Sequence, residues 1–141
     1  MLKLRLTVVF IIFISAYSFA QQSDQIIGKY HLPNDLDIEI FKNDNTYSGK
    51  IIALNNFKDG QTKDINNPEE SEQNGLLIGK VIINNLEFNE EKNEWVNGEM
   101  YGAEKGMIFN LKITNVGQNE IEVVGSKYLF WHTMKWEKIE S

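Results

Sequence analysis

From Ile26 onward, apolar and polar residues alternate with a period of two along much of the chain, the pattern of strands that bury one face. Leu36, Ile38 and Ile40 alternate with Asp37 and Glu39. Met107, Phe109, Leu111 and Ile113 alternate with Ile108, Asn110, Lys112 and Thr114. In the last strand, over 130–139, Phe130, His132, Met134 and Trp136 share one face, and Thr133, Lys135 and Glu137 share the other. Further strands are expected over 26–32, 47–54 and 76–83; the last is apolar almost throughout and reads as a central strand. The stretch 95–113 reads as a hairpin with a tight glycine-bearing turn. Turns are expected at 33–35, 43–45, 84–85, 89–94 and 116–119, where Pro, Gly, Asn and Asp gather. About eight short strands without a helical segment or an internal repeat predict an all-β fold, an antiparallel barrel whose closure removes exposed edges. Residues 55–75 show no periodicity and are rich in Asn, Asp, Lys, Glu and Gln, so they read as one long polar loop of functional or mobile character.

Residues 1–20 break the strand pattern. Lys3 and Arg5 precede an apolar run over 6–14 and small residues ending at Ala20, the three-part arrangement of a secretory signal. That run is short for a bilayer span. The expectation is cleavage after Ala20, leaving 21–141 as a single barrel domain, periplasmic or secreted and not membrane-spanning. Without Lys3 and Arg5, 12 lysines face 20 acidic residues, a net charge of −8. Arg5 is the sole arginine, so the exported part has no guanidinium for phosphate clamps and nucleic acid is an improbable partner by charge. The absence of cysteine excludes disulfides, thiolate metal sites, a cysteine nucleophile and a lipidated cysteine.

Several short motifs then bear on family. Asp64-Ile-Asn-Asn-Pro68, Leu77-Ile-Gly79, Trp95-x-x-Gly98-x-x-Tyr101 and Trp136 together resemble an uncharacterised family of small exported bacterial proteins with a lipocalin-like β-barrel. The resemblance implies the barrel and a periplasmic or extracellular home, and it brings no activity. It would place arginine near 74–75 and in the last strand, and Asp-Pro after the tyrosine. This chain has Asn74-Gly75, His132 and Gly102-Ala103 there.

Candidate chemistry is sparse. His31 and His132 fall on the first and last strands but on opposite faces by alternation, so no metal site and no cofactor is expected. Asp59, Gly60 and Asp64 offer loop oxygens without the spacing of a calcium loop. Glu69-Glu70 and Glu90-Glu91 are adjacent residues in turns, which point apart rather than flanking one substrate. No phosphate loop or nucleophile elbow stands out, so an enzyme, with His132 as a base, is the least supported class. The better readings are two. In one, an exported or envelope-associated barrel holds a small apolar or amphipathic ligand against Phe109, Phe130, Met134 and Trp136, with His132 as the polar contact. In the other, a filled barrel presents the 55–75 loop to an envelope protein partner.

Overall fold

The computed structural model describes residues 22–140; the expected signal over 1–20 lies outside them. Eight strands form a closed barrel in simple up-and-down order: β1 Gly28–His31, β2 Leu36–Asn43, β3 Thr46–Leu54, β4 Val81–Asn89, β5 Glu94–Gly102, β6 Met107–Val116, β7 Glu120–Lys127 and β8 Phe130–Ile139. Each strand pairs antiparallel with the next, and β1 returns to β8 through Lys29↔Ile139, Tyr30↔Lys138 and His31↔Glu137. The all-β barrel read from the period-two pattern is the observed architecture.

Alternation delivers the core. Leu36, Ile38 and Ile40 from β2, Leu111 and Ile113 from β6, Ile121 and Val123 from β7 and Trp136 from β8 are all buried, with Tyr30, Trp95 and Leu86 between them. Phe88 stacks on Trp95 at 4.9 Å between ring centroids. The lower end carries the β2–β3, β4–β5 and β6–β7 turns and is plugged by the N-terminal segment. There Ile26 is buried, Trp95 Nε1 donates to the Ser23 carbonyl at 2.8 Å, and the Tyr30 hydroxyl donates to the Ile26 carbonyl at 2.8 Å. The Tyr47 hydroxyl donates to Asp24. Burial and then this carboxylate push its pKa up to about 12, so it stays a neutral donor at physiological pH.

Two irregularities overturn local expectations. Asn84–Asn85 is no turn: it lies inside β4, where Asn85 at φ +64° lets Ile83 and Leu86 both be buried although three residues apart. Asn97 at φ +62° does the same in β5 between Trp95 and Gly98. Asparagine tolerates this left-handed backbone, so the same residue type marks turns and in-strand bulges alike.

The expected strand over 76–83 is also corrected. Regular pairing begins only at Val81, because Gly79 at φ +84° breaks the extended run. Leu76 forms an isolated bridge to Lys63, and Leu77 is buried beneath the loop. The long loop itself is built rather than loose. It contains short 3-10 turns at Phe57–Asp59 and Glu70–Glu72, and it sends Phe57, Asp64 and Leu77 into buried positions over the upper end of the barrel.

Gly98 marks the tightest strand contact. A Cβ there would lie 2.6 Å from Leu86 Cδ2 and 2.8 Å from the Leu111 carbonyl oxygen. Since the second neighbour is backbone and cannot rotate away, Gly98→Ala is expected to lower stability by about 1–3 kcal/mol, read as a lower urea midpoint with unchanged slope.

Candidate functional site

The upper end of the barrel, carrying the β1–β2, β3–β4, β5–β6 and β7–β8 connections, divides into a sealed half and an open half. The open half is a recess of about 320 Å³ lined by Phe109, Gly125, Ser126, Lys127, Phe130, Trp131, His132 and Met134. Its floor depends on two glycines. The Phe109 ring lies over both, so that a Cβ on Gly102 would fall 3.3 Å from it and one on Gly125 3.2 Å. With no side chain at 125, the ring and Met134 pack directly on β7 and set the floor of the recess. Phe109 and Met134 are half-buried against the core.

Of the five residues expected to form a ligand wall, the structure brings together Phe109, Phe130, His132 and Met134. Trp136 follows on the same face of β8 but sits deeper, 1% exposed and paired with Ile121, in the packed interior. Its indole N–H is buried and has no hydrogen-bond partner among the described residues. Phe130 has the inward register yet is 81% exposed, and His132 is exposed with it. The reason is the short β1, which pairs with β8 only from Glu137 onward. Above that point β8 has β7 on one side and, among the described residues, no strand on the other, so the inner face opens to solvent. A larger cleft of about 610 Å³ runs along the lower part of the β1/β8 seam, but polar side chains such as Lys29, Glu39, Asn119 and Lys138 dominate its lining. His31 is engaged elsewhere: it pairs across β1–β2 with Asp37 at 2.6 Å.

The sealed half holds a polar cluster. Asp64 is 1% exposed. Its Oδ1 accepts from the Tyr101 hydroxyl at 2.7 Å, and its Oδ2 accepts from Asn67 Nδ2 at 2.8 Å and from Lys80 Nζ at 3.1 Å. The Lys80 ammonium also stands 5.2 Å from the centre of the Tyr101 ring. Burial alone would raise the Asp64 pKa, but the hydrogen bonds from Tyr101, Asn67 and Lys80 and the lysine charge outweigh it, holding the carboxyl below its ordinary range. Tyr101 is pushed up by burial and by its bond to the carboxylate, so it remains a donor. Asn66 completes the attachment, its Nδ2 donating to the Ala103 and Glu104 carbonyls of the β5–β6 turn at 3.3 and 3.0 Å. Gly106 in that turn has φ +64°, and a Cβ there would lie 1.9 Å from the Asn66 carbonyl oxygen. Through Tyr101 the hairpin 95–113 contributes a member of this cluster. Alternation could not reveal it, because Asp64 and Tyr101 are 37 residues apart and meet only when the loop folds back.

Residues 28–138 match the family described as "Uncharacterized protein conserved in bacteria (DUF2147)". The chain belongs to this family. Among solved structures, a protein from the human pathogen Helicobacter pylori, HP1028, described as belonging to the lipocalin family, is similar to the chain with a TM-score of 0.71 and 18% identity, over 82% of this chain and 83% of that one. At that identity the likeness establishes a shared lipocalin-like barrel. No curated protein matches the chain. In this chain the Asp64-to-Pro68 motif and Tyr101 form the buried cluster, and its cation comes from Lys80.

Asp64→Asn replaces one acceptor oxygen by an amide donor facing other donors, and is expected to cost about 2–3 kcal/mol at neutral pH. Because the folded-state pKa of Asp64 is depressed, the wild-type advantage is full above the unfolded carboxylate value and lost as pH falls through the folded one. Urea midpoints of the two proteins should therefore stay apart near neutral pH and converge as the pH is lowered below the ordinary carboxylate range. A constant gap across that range would show that the carboxylate charge is not what the cluster uses.

Proposed function

We propose that the protein is an exported binding module that holds a small apolar or amphipathic molecule in the recess at the open half of the barrel. The observation carrying this reading is the recess itself: about 320 Å³ of space between Phe109, Phe130, Trp131 and Met134, with the His132 imidazole at the wall as a polar contact. Ligand sites combine such apolar walls with few polar groups, and a volume of this size falls at the small end of their range. A lipocalin-like barrel supports the reading at the level of fold. Export rests on the basic start, the apolar run and the small residues ending at Ala20.

The competing reading, display of the long loop to a protein partner, has its own support in the exposed Ile65, Leu76 and Ile78 on a loop that Asp64 and Asn66 hold in place. The recess reading is preferred because its apolar groups converge on one space.

Native mass spectrometry of protein purified from its own host tests the proposal directly, a co-purifying small molecule being the expected result. Titration with the apolar fluorophore N-phenylnaphthylamine localises the site. Gly125→Val puts methyl groups where Phe109 and Met134 border the recess, and should weaken the probe about tenfold or more, the equivalent of about 1.4 kcal/mol, with the circular dichroism of the barrel retained. Equal affinity in the variant and wild type would move the site elsewhere.

A further inference from the structure

We propose that the tip of the β7–β8 hairpin, together with the start of β6, docks the protein onto a lipid bilayer bearing anionic headgroups. This inference stands apart from ligand binding in the recess. Tyr128, Leu129, Phe130 and Trp131 are four consecutive large apolar residues, exposed by 90%, 85%, 81% and 76%. Both faces of the strand are bare here, since β1 stops short of this part of β8. Ile108 adjoins the tip, as its carbonyl accepts from Lys127 Nζ at 2.7 Å, and Met107 beside it is also exposed. Soluble monomers rarely leave so large an apolar patch unused.

The turn chemistry shows that these residues do not serve the hairpin. A two-residue connection with positive φ at its first position favours glycine there. Here Tyr128 occupies that conformation at φ +56°, where a bulky side chain costs on the order of 1–2 kcal/mol. The fold thus carries strain to place aromatic side chains at the outermost point. Tyrosine and tryptophan are the residues that settle at the boundary between headgroups and acyl chains, with an apolar body and a polar edge.

Charge selects the kind of surface. The turns beside the patch, 103–106 and 127–132, hold Lys105 and Lys127 against one carboxylate, Glu104, although the chain from Gln21 carries −8. Lys135 further along β8 is already paired with Glu120 at 3.2 Å. An acidic body with two lysines beside an aromatic tip is oriented tip-first by an anionic membrane. Each of the four tip residues is at least 76% exposed, so their side chains are free to enter lipid.

The test uses vesicles of phosphatidylcholine with and without phosphatidylglycerol. Trp95 and Trp136 are each 1% exposed, so any change in tryptophan emission on mixing reports Trp131. The expected result is a blue shift, quenching by brominated acyl chains, and co-sedimentation that weakens on removing phosphatidylglycerol or adding salt. Leu129→Glu alters an exposed residue outside the recess and should reduce vesicle binding about tenfold, while N-phenylnaphthylamine binding persists. Gly125→Val should do the reverse. The proposal is overturned if Trp131 emission is unmoved by either vesicle, if Leu129→Glu sediments as wild type does, or if Trp131 is already shielded in a dimer without lipid.

Discussion

One buried carboxylate organises the upper end of the barrel. Asp64 has every oxygen engaged, by Tyr101 from β5, Asn67 from its own loop and Lys80 from the segment entering β4. A charge at 1% exposure is tolerable only when it is paired and hydrogen-bonded, so the position of the loop and that of the strands are mutually dependent. With the loop fixed in this way, Phe57 and Leu77 become core and half of the barrel mouth is closed. The recess is what remains open on the other side.

That open side is shaped by what β1 and two glycines omit. The four residues of β1 close the barrel low on β8, leaving the upper part of β8 as an edge and turning its inward-register residues Phe130 and His132 toward solvent. Gly102 and Gly125 provide a flat bed for the Phe109 ring, which caps the packed interior beneath the recess. A free strand edge with apolar residues invites association with other chains. Here the same geometry places the recess and the aromatic tip next to one another, with Phe130 and Trp131 belonging to both.

The ligand-binding and membrane-docking proposals consequently describe adjacent parts of one surface with separable chemistry. One depends on the space above Gly125 and the other on the outermost residues Tyr128 and Leu129. A molecule that partitions into lipid would meet the mouth of the recess at the place where the protein would touch the bilayer, though neither activity requires the other.

The period of two was enough to make the chain an all-β barrel, because a strand that buries one face must alternate and the alternation is local. It also placed Phe109, Phe130, His132, Met134 and Trp136 on inward register, and their order along the strands follows directly. Depth along the barrel axis was not legible: whether an inward residue is core, like Trp136, or rim, like Phe130, depends on how far β1 reaches along β8. Asn84–Asn85 and Asn97 look alike to a reader of turns, and only cross-strand pairing distinguishes a turn from a bulge. The polar 55–75 segment shows no periodicity because its order comes from side chains that meet across the fold. Asp64 and Tyr101 stand in the short motifs that suggested the family, but nothing along the chain joins them to one another or to Lys80. Tertiary structure alone decides that they share one buried site, since the energy that joins them exists only after the barrel has closed around it.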